Sequence, residues 1–113
     1  MASVKEKISS YLGFCIRSGK ITYGVDGAES LKKGVYLLIA DGALKENSMK
    51  VMTKLKDKFS CPLVVTGEGE LGEALHKPAV KAVAVKEKNL AAAILAAVKE
   101  TEEDYKIYSG GTN

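Results

Sequence analysis

A glycine-rich segment in the first half of the chain holds the residues best placed to contact a ligand. Gly24, Gly27 and Gly34 punctuate residues 24–34, which lie between the polar residues 18–20 and the apolar residues 35–40. A glycine turn at the start of a helix lets backbone N–H groups approach a polar ligand closely, and the helix end favours negative charge. The segment therefore predicts a contact surface and not a catalytic centre.

The sequence contains no recognisable catalytic motif. It has no G-x-x-x-x-G-K-[ST] loop, no G-x-S-x-G elbow and no G-x-G-x-x-G dinucleotide fingerprint. His76 is the single histidine. It is more simply interpreted as an exposed loop residue before Pro78 than as a general acid or base. Cys15 and Cys61 are expected to be small buried hydrophobic residues in a reducing compartment, and they are too few for a metal site. We therefore predict that the protein is not an enzyme and needs no cofactor or metal.

The charge distribution permits binding to a polyanion. The 113 residues have a formal net charge of +3, but residues 1–98 hold 15 of 17 basic and 10 of 14 acidic residues. An acidic cluster follows at residues 100–104. Lys50, Lys54 and Lys58 form a stripe on a predicted helix, for which a solvated face is the simpler interpretation. No apolar run approaches the roughly 20 residues that span a bilayer, and the start is not a secretory signal, so a cytoplasmic protein is expected.

Helices alternate with short apolar strands along the chain, which indicates an α/β domain. Apolar residues recur at helical spacing from Val4 to Ile16, and this first helix is expected to end at Gly19. The other predicted helices span residues 25–33, 47–59, 70–75 and 90–98. Extended structure is predicted for residues 20–23, 36–40, 63–65 and 82–85. Asn47 or Ser48 is the predicted cap of the third helix, and Asn89 that of the last.

Several short motifs follow one another in a particular order. They are Leu12-Gly13-Phe14, Arg17-Ser18-Gly19-Lys20, Gly24, Leu37-Leu38-Ile39-Ala40-Asp41, Glu46-Asn47-Ser48, Cys61-Pro62-Leu63-Val64, Glu70-Leu71-Gly72, Ala74-Leu75, Lys77 and Ala82-Val83-Ala84-Val85. Each motif is weak alone. In this order and spacing they resemble the ribosomal kink-turn-binding superfamily of the archaeal protein L-seven-Ae and the eukaryotic L-thirty-e, and most closely its small bacterial members. The resemblance covers roughly residues 10–98.

The resemblance implies a three-layer α/β/α sandwich around a small mixed sheet of about four strands. Residues 1–101 would form this single RNA-binding domain, and residues 102–113 a polar, flexible C-terminal tail. Family members bind sharply bent RNA with tandem sheared G·A pairs. The start of the second helix meets the guanines in the groove, and a loop after the fourth helix covers a flipped-out nucleotide. The corresponding residues here are Gly24, Val25, Asp26, Gly27 and the loop from His76 to Val80, which includes Lys77, Pro78 and Ala79.

The resemblance also implies a non-catalytic function on structured, kink-turn-like RNA. The partner would be ribosomal RNA, with no DNA or membrane partner, and the free protein would be a monomer. The lysine usual in the second helix falls near Glu29 or Ser30, and Lys20 or Lys32 could take its place beside Lys77. The alternative is a protein-interaction or scaffold member of the same fold with a weakened RNA surface. Gly24 and Gly27 are expected to allow close approach of the backbone to base edges.

Overall fold

Five helices and five strands alternate in the part of the chain that the computed structural model describes, residues 4–100 and 105–109. The helices are α1 (Val4–Arg17), α2 (Val25–Glu29), α3 (Glu46–Phe59), α4 (Glu70–Leu75) and α5 (Lys88–Lys99). The strands are β1 (Ile21–Tyr23), β2 (Leu37–Ala40), β3 (Leu63–Val65), β4 (Ala82–Val85) and β5 (Lys106–Tyr108). Within these residues, no helix is long and apolar enough to cross a membrane.

The strands form one mixed sheet in the order β1-β4-β2-β3-β5. Strands β2 and β3 are parallel, with Leu38 opposite Leu63, and the other neighbours are antiparallel. The sheet thus has one strand more than the predicted four, because β5 adds to the edge at β3. Residues 102–104 and 110–113 of the predicted tail lie outside the described residues. Between them, Tyr105 is buried and β5 is paired, so this part of the predicted tail belongs to the sheet.

Side chains that alternate along the central strands build one apolar layer on each face of the sheet. Val83 and Val85 point toward α1, α4 and α5, whose buried residues include Leu12 and Ile94. Ala82 and Ala84 point to the other face, toward α2 and α3. The expected α/β/α sandwich is therefore confirmed.

The second helix is shorter than predicted, since α2 ends at Glu29 and does not continue to residue 33. The Ser30 hydroxyl donates a hydrogen bond to the carbonyl of Gly27 at 2.6 Å. Such a side-chain bond to the local backbone competes with further helix, and Gly34 then takes a φ of 81°. A helix of five residues has little macrodipole, so the expected attraction of anions to its N-terminus loses its main physical basis.

Two predicted helix caps and one strand boundary were wrong. Helix α3 begins at Glu46 after Lys45, so Asn47 and Ser48 lie inside its first turn. Helix α5 is capped by the carboxylate of Glu87, which accepts a hydrogen bond from the Leu90 N–H, so Asn89 is not the cap. Strand β2 begins at Leu37, one residue after the exposed Tyr36. Both helices therefore begin before the residue that was predicted to cap them.

A buried carboxylate joins three parts of the fold at the end of β2. Asp41 is 1% exposed, and its Oδ2 accepts hydrogen bonds from the N–H groups of Ala43 and Gly69, both at 2.9 Å. Its Oδ1 accepts from the Leu71 N–H at 3.1 Å and from the Thr66 hydroxyl at 3.3 Å. The carboxylate fixes the loop between β3 and α4, and with it the position of α4.

Candidate functional site

A groove of about 390 Å³ lies where β1 passes into α2 and faces the start of α3. We call it the α2–α3 groove. It is lined by Tyr23, Gly24, Val25, Asp26, Gly27, Glu29, Asn47, Ser48 and Val51. The four residues predicted at the start of the second helix therefore lie together on one open surface.

Gly24 makes the turn that forms one end of this groove. Its φ of 81° and ψ of 159° are accessible to glycine and strained for other residues. Its N–H donates to the carbonyl of Ala82 at 2.7 Å, and its carbonyl accepts from the N–H of Ala28 at 3.0 Å. The Gly24 N–H is therefore already hydrogen-bonded to β4. The next residues form the first turn of α2, and N–H groups of a first turn have no acceptor within their own helix.

The absence of a side chain at Gly27 lets α2 pack closely against β1. A Cβ built on Gly27 would lie 2.9 Å from Cγ2 of Thr22 on β1. The space left by the hydrogen is therefore filled from the sheet side. Gly27 still lines the α2–α3 groove through its backbone.

We expect Gly27→Ala to destabilise the protein by about 1 kcal/mol, because overpacking against Thr22 exceeds the gain in helix propensity. Gly13→Ala in α1 is the matched control, since its Cβ would meet only Arg17 Nη1 at an ordinary 3.5 Å. That control is expected to gain up to about 1 kcal/mol. Urea unfolding of both variants measures the difference, and equal gains would show that the Gly27 position is open.

The loop that follows α4 lies beside the α2–α3 groove. The Lys77 ammonium is 5.6 Å from the centroid of the Tyr23 ring, and the Lys77 N–H donates to the carbonyl of Gly72 at 2.9 Å. A Cβ on Gly72 would lie 3.0 Å from Cα of Pro78, so the loop rests directly on α4. Pro78 and Ala79 are exposed, whereas Val80 packs against the core.

The three lysines predicted to contact RNA have different places in the fold. Lys20 precedes β1 at the end opposite Gly24, about 13 Å along the strand, and its carbonyl accepts from the Lys86 N–H. Lys32 follows the C-terminal end of α2, where the Lys58 ammonium donates to the carbonyl of Leu31 at 3.0 Å. The structure thus brings Lys77 against the groove residue Tyr23, places Lys20 at the far end of β1, and places Lys32 three residues after the groove residue Glu29.

Sequence reasoning missed several residues of the groove, among them Tyr23, Asn47 and Ser48. Asn47 and Ser48 were interpreted as candidate caps of the third helix, but both lie inside its first turn and line the groove. Tyr23 was assigned only to an extended segment. The sequence feature that could have identified Tyr23 is an aromatic residue directly before the turn glycine Gly24, where the chain leaves the sheet.

The two cysteines are buried thiols in the structure. Cys15 and Cys61 are free and buried, as predicted. Burial raises the pKa of each thiol to about 11, so both stay protonated at neutral pH. Among the described residues, no group of three or more His, Cys, Asp or Glu side chains is arranged to hold a metal ion.

Comparison with known proteins adds support for the fold alone. No protein-family model matches the chain, and no curated protein matches it. A solved structure described as that of a protein with unknown function from Bacillus halodurans C superposes with a TM-score of 0.69. The two sequences are 21% identical, and the match covers 83% of this chain and 98% of that one.

Proposed function

We propose that this protein binds sharply bent, kink-turn-like RNA without catalysing a reaction, as a ribosome-associated protein of the cytoplasm. The main support is the adjacency of two chain segments that the family resemblance assigns to RNA separately. The hydrogen bond from Gly24 to Ala82 and the contact of Lys77 with Tyr23 hold the start of α2 beside the loop after α4. Gly24 and Lys77 are 53 residues apart in sequence.

The groove has the chemistry of a surface that reads base edges. Asp26 and Glu29 present carboxylates, and Asn47 and Ser48 present an amide and a hydroxyl. Carboxylate and amide oxygens accept hydrogen bonds from exocyclic amino and ring N–H groups, which a base exposes once it leaves regular stacking. Guanine offers both kinds of donor on one edge, so it is the base we assign to the groove.

Lysines at the rim of the groove are suited to the RNA backbone. Lys77 projects beside Tyr23, and the exposed Lys81 follows in the same loop, next to Ala82. Exposed ammonium groups bind phosphates, and such contacts position the RNA without reading its sequence. The arrangement separates base recognition inside the groove from phosphate contacts at its rim.

The second candidate is a scaffold or protein-interaction role on the same fold. Asp26 and Glu29 favour it, because two carboxylates in one groove repel a phosphate backbone that approaches too closely. Under this alternative the groove would take basic or amide-rich peptide, and any RNA binding would be weak and independent of RNA shape.

A gel-shift titration with two RNAs tests the proposal. One RNA contains a kink-turn, and the other has the same length with its sheared G·A pairs replaced by Watson–Crick pairs. We expect at least tenfold tighter binding to the kink-turn. Equal, weak binding to both RNAs would reject the proposal in favour of the scaffold role.

A further inference from the structure

A second groove, of about 350 Å³, lies between α1 and α4. We call it the α1–α4 groove. Gly13, Phe14 and Arg17 of α1 form one side, and Leu75 and His76 at the end of α4 form the other. Its volume falls within the roughly 300–1,000 Å³ of sites for small ligands. His76, which lines this groove, is the neighbour in sequence of Lys77, whose ammonium lies beside Tyr23 at the rim of the α2–α3 groove.

Phe14 and Arg17 form a stacked pair in this groove. Phe14 is 52% exposed although it lies next to the core positions Leu12 and Cys15. The central guanidinium carbon of Arg17 is 4.6 Å from the centroid of the Phe14 ring. This arrangement does not depend on the glycine at position 13, because a Cβ there would meet Arg17 Nη1 at an ordinary contact distance of 3.5 Å. An open aromatic face and a planar cation are thus held together at the surface.

The charge of the groove differs from that of the α2–α3 groove. None of the described residues that line it is acidic, and Arg17 supplies a permanent positive charge. Aromatic rings and guanidinium planes are the side chains on which unpaired bases stack, and a guanidinium also donates to phosphate. The surface therefore complements an anionic, planar ligand.

We infer that the α1–α4 groove binds one unpaired nucleotide of an RNA whose bent part occupies the α2–α3 groove. The inference rests on the proposed function and extends its contact surface across the loop after α4. The base stacks on the Phe14 and Arg17 pair, and its phosphate receives hydrogen bonds from Arg17. A single strand that leaves the rim at Lys77 reaches the groove past His76.

A thermodynamic cycle between the protein and the RNA tests this inference. A kink-turn RNA is prepared with each unpaired nucleotide replaced in turn by an abasic residue, and binding is measured by fluorescence anisotropy. One abasic position is expected to weaken binding to the wild-type protein by about 5- to 150-fold, which corresponds to the range found for stacking of one base. The same abasic change is expected to have no effect on binding to Phe14→Ala, which has already lost the stacking partner.

Two further variants separate stacking from charge and from general effects. Arg17→Lys keeps the positive charge but loses the planar group, so it is expected to lose sensitivity at the same abasic position. Tyr36→Ala removes another exposed aromatic residue, 44% exposed and outside both grooves, and is expected to keep the wild-type profile. Alanine suits an exposed helical position, so Phe14→Ala should fold, which circular dichroism checks.

The possible results distinguish the inference from the proposed function. If kink-turn RNA binds tightly but no abasic position is coupled to Phe14, the inference is wrong and the proposed function stands. If the wild-type protein shows no preference for kink-turn RNA, both fail together.

Discussion

Replacing Asp41 with alanine is expected to lower the free energy of unfolding by about 3 kcal/mol or more. This is the largest loss of stability that we expect from any single substitution. The substitution leaves the N–H groups of Ala43, Gly69 and Leu71 without their acceptor. The Leu71 N–H is buried, and an orphaned buried donor costs about 1–3 kcal/mol, while the part-buried donors of Ala43 and Gly69 add smaller losses. For a domain of this size the midpoint of thermal unfolding should fall by about 12 °C or more. Differential scanning calorimetry measures the change.

The matched control is Asp26→Ala, which removes a carboxylate from an exposed position in α2. Its effect on the free energy of unfolding in the absence of RNA is expected to stay within about 0.5 kcal/mol. Similar losses in the two variants would contradict the role assigned to the Asp41 hydrogen bonds.

The same carboxylate predicts how stability depends on pH. Burial alone would raise the pKa of Asp41, but the N–H groups of Gly69, Ala43 and Leu71, with the charge of Lys81, lower it below its ordinary value. An unfolded chain has an aspartate pKa of about 3.9. The stabilisation is therefore complete above that pH and is lost as the pH falls through the lower pKa of the folded state. Urea unfolding from pH 7 to pH 3 should show a steeper loss for wild type than for Asp41→Asn, and parallel curves would contradict the lowered pKa.

Lys77→Ala is expected to weaken binding to kink-turn RNA about tenfold. A hydrogen bond to a charged group contributes about 1.5–3 kcal/mol, and the Lys77 ammonium lies beside Tyr23 at the rim of the α2–α3 groove. The dependence of log affinity on log salt concentration should also become shallower by about one phosphate contact. Fluorescence anisotropy at several salt concentrations measures both quantities.

Lys20→Ala and Lys32→Ala are the controls, because they remove the same charge at positions that the fold separates from the groove. Both are expected to change affinity less than threefold at moderate salt, through long-range electrostatics alone. A loss at Lys32 equal to that at Lys77 would shift the RNA surface toward the Lys50, Lys54 and Lys58 side of α3.

Local patterns predicted most of the fold because each element is apolar on the face that it buries. The alternating strand residues Val83 and Val85, and the helical spacing of Ile8, Leu12 and Cys15, identify core positions without further information. The errors occur where a side chain acts on the backbone. Ser30 ends α2 early, and the cap of α5 is a glutamate instead of the better-ranked Asn89. Strand β5 was missed because three residues between polar segments give little periodicity.

The candidate site was predictable as two segments but not as one surface. The glycine turn and the loop after α4 each had a local signal, whereas their contact depends on the antiparallel pairing of β1 with β4. The same pairing places Lys77, in the loop before β4, beside Tyr23 at the end of β1. Lys20 is four residues from Gly24 in sequence, yet an extended strand carries it to the opposite end of the sheet.

Mapping of amide chemical shifts with isotope-labelled protein and kink-turn RNA tests the central claim most directly. If RNA binds at the α2–α3 groove, the largest shifts are expected at residues 23–29, 47–51 and 76–81. These residues comprise the two sides of the groove and the loop after α4, which the Gly24 and Lys77 contacts hold beside it. The RNA with replaced G·A pairs should leave those signals nearly unchanged. Shifts confined to Lys54, Lys58 and their neighbours in the C-terminal half of α3, or identical shifts with both RNAs, would contradict the central claim.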